Sequence, residues 1–154
     1  MDNISKEERS HVMSLVKQKN TRPELVVRSF LHRQGFRFRL HGKSLPGKPD
    51  IVLPKYRAVI LVHGCFWHGH KAKSCKLSRI PKSHIEFWTN KISSNFTRDQ
   101  ANIGKLKTLG WKVLVIWECE IGNMEKLVSL VEQLRQMDIT ATHGKPGSRK
   151  TMLQ

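Results

Sequence analysis

Hydrophobic and polar positions in the first part of the chain predict two helices and a strand. Residues 5–18 have the pattern of a helix of mixed charge. A second helix should begin at Thr21, where Glu24 completes a capping box, and it should end at Gly35. Residues 36–40 alternate apolar and basic side chains, which predicts a half-buried strand.

The remaining pattern predicts a hairpin, further helices and one more strand. Two β-branched runs, 51–53 and 58–62, should pair as the hairpin. Residues 84–109 have a helical pattern, interpreted as two helices. The continuous apolar run 112–117 is typical of a buried, parallel-type strand. With a last helix over 123–136, these elements predict an α/β domain whose mixed sheet is flanked by helices.

The length of 154 residues suits one domain, which we expect over 1–139. Residues 140–154 show no periodicity and predict a flexible basic tail. The polar N-terminus lacks the apolar stretch of a signal peptide, and no run of about 18 apolar residues occurs. These features predict a cytoplasmic protein without a membrane partner.

The charge balance points to a polyanionic partner. Lys and Arg total 28 against 12 Asp and Glu, a formal net charge of +16. The sequence has no basic amphipathic helix with an aromatic face, so nucleic acid is favoured over a membrane surface. The alternative is a basic protein that is merely kept soluble by its charge.

Residues 63–75 concentrate histidine and cysteine in an irregular loop. Cys65, His70 and Cys75 follow one another at equal spacing, and Cys119 follows the last strand. Three thiols and an imidazole are a common structural zinc set, and an odd number of cysteines argues against disulfides. His68 competes with His70 as the nitrogen ligand. The alternative is buried cysteines among surface histidines.

A second group of residues has the chemistry for phosphodiester hydrolysis. Asp50 follows Pro49 at the start of a strand, as the first metal-binding carboxylate does in restriction-type nucleases, although the adjoining strand lacks their Glu-x-Lys. Hydrolysis needs a cation and a base. His63 and His68 could supply the base, and Glu24 could hold metal-bound water. The alternatives are a turn aspartate, a capping glutamate and hydrogen-bonding loop histidines.

Two aromatic pairs lie in basic surroundings. Phe66 and Trp67 are adjacent in the loop, and Phe87 and Trp88 open a helix. Such side chains can wedge between base pairs and unstack them, which costs least where pairing is already poor. Core packing is the alternative, and it is favoured for Phe87.

Together these motifs resemble the very-short-patch (Vsr) mismatch repair endonuclease family. The matching segments run in order from the N-terminal part to about residue 120, and the two most specific read HGCFWHGH and WEC. The matching residues and segments are Thr21, Pro23 and Glu24; 44–50; 63–70; 86–88; Lys91, Ile92, Asn95, Arg98 and Asp99; and 110–119.

The resemblance implies a restriction-endonuclease-like fold with a structural zinc loop. It implies Mg²⁺-dependent nicking of one DNA strand 5′ to the thymine of a T:G mismatch, the DNA damage left when 5-methylcytosine deaminates. The partner would be double-stranded DNA, bound by a monomer that is functionally linked to a DNA cytosine methyltransferase.

The resemblance also implies a role for each matching residue. Asp50 and the main-chain carbonyl of Val62 would bind Mg²⁺. His68 would be the general base, with His63 beside it and Glu24 ordering metal-bound water. The other implied residues are the zinc ligands Cys65, His70, Cys75 and Cys119, the major-groove wedge Phe66, Trp67 and Trp88, and the minor-groove residue Met13 in the DNA-contacting helix 1–18.

Two departures from the family pattern stand out. Val62 replaces a threonine found in one family member, and the segment from His70 to Cys75 is longer by two residues.

Two rival functions stay open. They are a zinc-stabilised DNA-binding module without catalysis and a restriction-type nuclease that cuts another substrate.

Overall fold

The computed structural model describes residues 5–14 and 19–142, except for the side chains of 12–14 and 139–142. Four strands form one mixed sheet in the order β1-β2-β3-β4. The first two pairs are antiparallel, and β3 and β4 are parallel. The strands are β1 (Arg39–Leu40), β2 (Ile51–Leu53), β3 (Ala58–His63) and β4 (Lys112–Trp117).

Four helices accompany the sheet in the described part of the chain. They are α1 (Lys6–Ser14), α2 (Arg22–Arg33), α3 (Ile85–Thr108) and α4 (Met124–Thr142). Short 3₁₀ turns occur at Pro54–Tyr56, Lys76–Ser78 and Glu118–Glu120. None of these helices is both long and apolar enough to cross a bilayer.

The sheet lies between two apolar layers because its side chains alternate between faces. On one face, strand residues such as Ile51 and Ile60 pack against α2 and α4. On the other face, Val52 and Val59 pack against Leu106 of α3. The helical side chains of the larger layer are Val27, Leu31, Leu127, Leu130, Val131 and Leu134.

The α/β fold class, the hairpin and the parallel last strand are confirmed. Three details of the prediction are wrong. The first strand covers only Arg39–Leu40, because the partner strand ends at Leu53 and Pro54 has no N–H to continue the ladder. Residues 85–108 form one helix, since no proline interrupts them. The strand 112–117 is mostly half-buried because it pairs with β3 alone.

Both ends of α2 lie where the capping signals predict them, but one hydrogen bond of the predicted capping box has a different donor. Thr21 caps the helix and accepts a hydrogen bond from the N–H of Glu24. The Glu24 carboxylate, however, accepts from the N–H of Asn20 and not from that of Thr21. At the other end, Gly35 has a φ of 88°, a conformation that glycine adopts without strain.

The last helix extends beyond its predicted end. It was expected over 123–136 and runs from Met124 to Thr142, three residues into the predicted tail. Residues 143–154 lie outside the described part of the chain.

Replacement of Leu134 by alanine should destabilise the fold. This α4 side chain is fully buried between the helix layer and the sheet. We expect Leu134→Ala to lower the free energy of unfolding by about 2–5 kcal/mol, measured in urea. Val128→Ala, on the same helix at a 40% exposed position, should change it by no more than about 0.5 kcal/mol. Equal effects of the two variants would contradict the described packing.

Candidate functional site

The hairpin brings an acid and an imidazole to the same end of the sheet. Asp50 directly precedes β2, and His63 is the last residue of the antiparallel β3. The pairing of Val52 with Val59 puts both on the α3 face of the sheet, and side-chain alternation puts Asp50 and His63 on that face too. Both line one groove, so the two predicted site residues are brought together.

Asp50 is held by the backbone of the neighbouring strand. Its Oδ2 accepts a hydrogen bond of 2.8 Å from the N–H of Val62. Burial raises the pKa of Asp50 to about 6, although this hydrogen bond works in the opposite direction. The carboxylate is therefore fixed in place but lacks a strong positive partner among the residues around it.

His68 forms a dyad with an acid on α3. Its Nδ1 lies 2.5 Å from Oδ2 of Asp99, and both residues are partly exposed to the groove. Since a carboxylate can only accept, the proton sits on Nδ1. Nε2 of His68 is then the ring nitrogen with a free lone pair, which is the arrangement that a general base requires.

The ring of His63 lies parallel to that of His68. The two centroids are 4.0 Å apart and the planes differ by 3°. Burial, and next the charge of His68, lower the pKa of His63 to about 4. His63 is therefore neutral near pH 7, and a proton gained by His68 does not meet a second cation. One ligand atom from each of His63, His68 and Asp99 lies within 4.8 Å of the others, so this group could also hold a metal ion.

The cysteine-rich loop forms a compact group of metal ligands. The donor atoms of Cys65, His70, Cys75 and Cys119 all lie within 4.8 Å of one another. Four ligand atoms that each lie about 2.3 Å from a tetrahedral ion are about 3.8 Å from one another. The four donor atoms would therefore have to move only slightly closer together to bind one ion. The cluster could hold a metal ion, and three sulfurs with one imidazole form a donor set that zinc prefers.

The local backbone decides which histidine joins which group. His68 and His70 donate their N–H groups to the carbonyls of Gly64 and Cys65, which winds the loop into tight turns. Nδ1 of His70 then lies 3.5 Å from Sγ of Cys119. His70, and not His68, therefore belongs to the cysteine group.

Two contacts fix the loop on the rest of the fold. Nδ2 of Asn95, buried on α3, donates a 3.0 Å hydrogen bond to the carbonyl of Trp67. Gly69 packs so closely on α3 that an added Cβ would lie 2.8 Å from Cγ2 of Ile92, and its φ is 64°. The loop therefore depends on α3 for its position.

Trp117 lies between the cysteine group and the paired imidazoles. Its ring stacks on that of His70 at 4.2 Å, with 11° between the planes. Its edge meets the ring of His63 at 5.1 Å. The last residue of β4 thus connects the metal-ligand loop to the groove.

Glu24 also reaches the groove, but it is 1% exposed and held by other side chains. Its Oε1 accepts from Arg28 and from Nε2 of His41, the latter at 2.8 Å. Its Oε2 accepts from the N–H of Asn20 at 3.0 Å. Glu24 is thus both a capping acid and a member of a polar network.

The structure brings together the three aromatic residues that were predicted to form the wedge. Phe66, Trp67 and Trp88 contact one another edge to face, with centroids 5.0–6.1 Å apart. Trp88 is buried, whereas Phe66 and Trp67 are half-buried. The core assignment of Phe87 is wrong, because this side chain points outward and is 45% exposed. The Met13 side chain lies outside the described residues.

Cationic and acidic side chains line the groove together. The cationic ones are Lys19, Lys43, Lys48, Lys91 and Arg98, and the acidic ones are Glu24, Asp50, Asp99 and Glu118. His63 and His68 lie among them. The cationic side chains can contact an anionic ligand, while the carboxylates beside them can hold a divalent cation.

Sequence reasoning missed the roles of several residues. Asp99 and Asn95 were noted only as parts of a motif, and Arg28, His41 and the ring of Trp117 were not noted as site residues. One signal was present in the sequence: Asn95 continues the buried helical stripe of Trp88 and Ile92. A polar residue on an apolar stripe must find a partner, here the metal-ligand loop.

A mixed sheet with an acid and paired imidazoles in a basic groove, beside a thiol-rich loop, defines a class of metal-binding α/β domains suited to phosphodiester chemistry. The model of the family "DNA mismatch endonuclease Vsr" matches residues 1–74. The chain belongs to the Vsr family, as its similarity to full-length relatives also shows.

Three relatives illustrate this similarity. The type II nicking enzyme V.XorIIP of Xanthomonas oryzae pv. oryzae is 50% identical over 126 residues, 82% of this chain and 90% of its own. V.NmeAIP of Neisseria meningitidis serogroup A, another type II nicking enzyme, is 46% identical over 138 residues, 87% and 96% of the two chains. DNA mismatch endonuclease Vsr of Escherichia coli K12 is 43% identical over 130 residues, covering 83% and 81%.

Removal of the Asn95 amide should loosen the metal-ligand loop. Asn95→Ala leaves the part-buried Trp67 carbonyl without its donor, so we expect a loss of about 1–3 kcal/mol in the free energy of unfolding. The matched control is Asn90→Ala, at an exposed position of the same helix, with a change of no more than about 0.5 kcal/mol. An unchanged stability of Asn95→Ala in urea would refute this anchoring role.

Proposed function

We propose that this protein is a Mg²⁺-dependent DNA endonuclease that nicks one strand 5′ to the thymine of a T:G mismatch, as a step of very-short-patch repair. The observation that carries the proposal is the convergence of Asp50, His63 and the His68–Asp99 dyad in one basic groove. Membership of the Vsr family supports the same activity, and two of the relatives are named nicking enzymes.

His68 acts as the general base in this proposal. Asp99 holds the proton of the imidazole on Nδ1 and stabilises the positive charge that develops. Nε2 can then accept a proton from the water that attacks phosphorus. His63 stays neutral in its buried position, so its ring orients His68 without repelling the protonated form.

Asp50 and the main-chain carbonyl of Val62 would hold the magnesium ion. The residues fit, because Asp50 is a fixed carboxylate whose pKa is raised by burial, and a bound cation would stabilise its ionised form. When bound, the ion supplies the charge that neutralises the phosphate as its bond to the leaving oxygen breaks. Glu24 faces the same groove and would order the water around the ion.

We assign zinc to the Cys65, His70, Cys75 and Cys119 group. Four protein ligands close a tetrahedral site to water, so the role would be structural and not catalytic. The loop from 64 to 78 has only short turns, and a bound ion would replace the apolar core that it lacks.

DNA would lie along the basic walls of the groove, with the aromatic group of Phe66, Trp67 and Trp88 against its bases. Aromatic wedging is cheapest at a weak pair, which would favour a mismatch. Met13, in α1, would contact the minor groove. A single nicking domain over 1–139, a basic tail, a monomeric state, a cytoplasmic location and a link to a cytosine methyltransferase stay predictions.

The geometry favours catalysis over a pure binding role. A surface that only binds phosphates gains nothing from Asp50 and Asp99, because carboxylates repel the ligand. Both acids nevertheless line the groove, one with a raised pKa and one hydrogen-bonded to an imidazole. The restriction-type alternative differs only in substrate, and a comparison of matched and mismatched duplexes decides it.

Loss of the Asp50 carboxylate should abolish nicking. We expect the parent to nick the T strand of a T:G duplex when Mg²⁺ is present, and T:A or C:G versions of the same duplex far more slowly. Asp50→Asn keeps the size of the side chain but removes a charged ligand, so its rate should fall to background. Gel analysis of an end-labelled strand measures both.

Asp138→Asn, at a 40% exposed position on α4, is the control for this experiment and should nick like the parent. Retained nicking by Asp50→Asn would overturn the catalytic assignment. Tight duplex binding by the parent without nicking would favour the binding-module alternative. Equal nicking of matched duplexes would favour the restriction-type nuclease.

Loss of zinc should destabilise the fold. The loss of even about 3 kcal/mol would lower the melting temperature by roughly 10 °C. We therefore expect that fall when Cys75→Ser removes one ligand, together with loss of bound zinc by elemental analysis. Ser74→Ala, at the exposed neighbouring position, should keep one zinc per chain. A zinc-free parent with the same melting temperature would contradict the assignment.

A further inference from the structure

Glu24 is a nearly inaccessible carboxylate at the edge of the proposed nicking groove. It is 1% exposed, and three donors already reach it: Arg28 and His41 on Oε1, and the N–H of Asn20 on Oε2. A carboxylate offers about four acceptor positions. One position on Oε2 is therefore left for a further donor.

The two side chains on Oε1 supply what a buried anion needs. A carboxylate at this depth is costly unless it is paired and hydrogen-bonded. Arg28 carries a permanent positive charge. It also donates to Oδ1 of Asn20 at 2.7 Å, so Glu24, Arg28 and Asn20 form a closed ring of hydrogen bonds. His41 adds a second donor at 2.8 Å.

His41 also ties Glu24 to Asp50. Its backbone N–H donates a 3.0 Å hydrogen bond to the carbonyl of Asp50, while its ring binds Glu24. Its φ of 50° lies in the left-handed region, which is uncommon outside glycine. In this backbone conformation His41 contacts both Glu24 and Asp50.

We propose that Arg28 and His41 are positioning residues of the nicking site. They hold the Glu24 carboxylate in place and fix its remaining acceptor relative to Asp50, so that the two acids together receive a hydrated divalent cation. This role rests on the proposed function. Both residues act through Glu24 and are not assigned a contact with DNA.

A double-mutant cycle tests the proposal with single-turnover nicking of the T:G duplex at saturating Mg²⁺. Arg28→Met and His41→Leu should each lower the rate by about 10-fold to 100-fold, as loss of an outer partner of a metal site does. In a Glu24→Gln background the same changes should have little further effect, because the group on which they act is gone. Equal losses in both backgrounds would overturn the proposal.

Conservative variants separate this role from a general loss of structure. His41→Gln keeps a side-chain N–H donor and should retain most of the rate. Arg28→Lys keeps the charge and should be faster than Arg28→Met. Arg33→Met, on the exposed last turn of the same helix, should nick like the parent. Similar losses in the conservative and the disruptive variants would count against the proposal.

A measurement without DNA keeps the inference independent of the proposed activity. Titration calorimetry with Mn²⁺ on the zinc-loaded parent should detect binding that weakens in Arg28→Met and His41→Leu, but not further in the Glu24→Gln background. A parent that binds Mn²⁺ with this pattern but does not nick would refute the proposed function and uphold only the cation-binding part of the inference. Unchanged Mn²⁺ affinity in both single variants would refute the inference itself.

Discussion

The site depends on one hydrogen bond between backbone and side chain, which the N–H of Val62 donates to Oδ2 of Asp50. It joins the start of β2 to the end of β3, where the hairpin register already brings the two strands level. Because β4 lies parallel to β3 with His63 opposite Trp117, the cysteine that follows β4 arrives at the same end of the sheet. A single register thus brings the acid, the imidazoles and the metal-ligand loop together.

A series of ring contacts connects the cysteine group to the groove. His70 stacks on Trp117, Trp117 meets His63 with its edge, and His63 stacks on His68. Rigid aromatic contacts have few rotamers to lose, so they transmit position well. An ion held among the sulfurs would stabilise the fold and, through these rings, the orientation of the proposed base.

Local signals in the sequence predicted the elements that depend on local causes. The hairpin, the parallel strand and the cap at Thr21 belong to this group. The spacing of the cysteines predicted a metal-ligand group but left His68 and His70 open, and the family motifs pointed to His70 and to Asp50. The length of β1 could not be predicted, because it depends on where the partner strand ends at Leu53. The contacts of Asp99 with His68 and of His41 with Glu24 join distant segments, and their spacing carries no signal until the fold is known. The pair of Glu24 and Arg28 is different, because its i,i+4 spacing within α2 is a signal that the sequence contains.

The segment from Lys43 to Lys48 has a consequence for the lining of the groove. Both its ends are pinned by β-type hydrogen bonds, from His41 to the Asp50 carbonyl and from Gly42 to that of Pro49. It lines the groove with two lysines but bears no part of the hydrolytic machinery. A change in the charge of this loop would therefore alter the lining of the groove while the backbone that positions Asp50 stays in place.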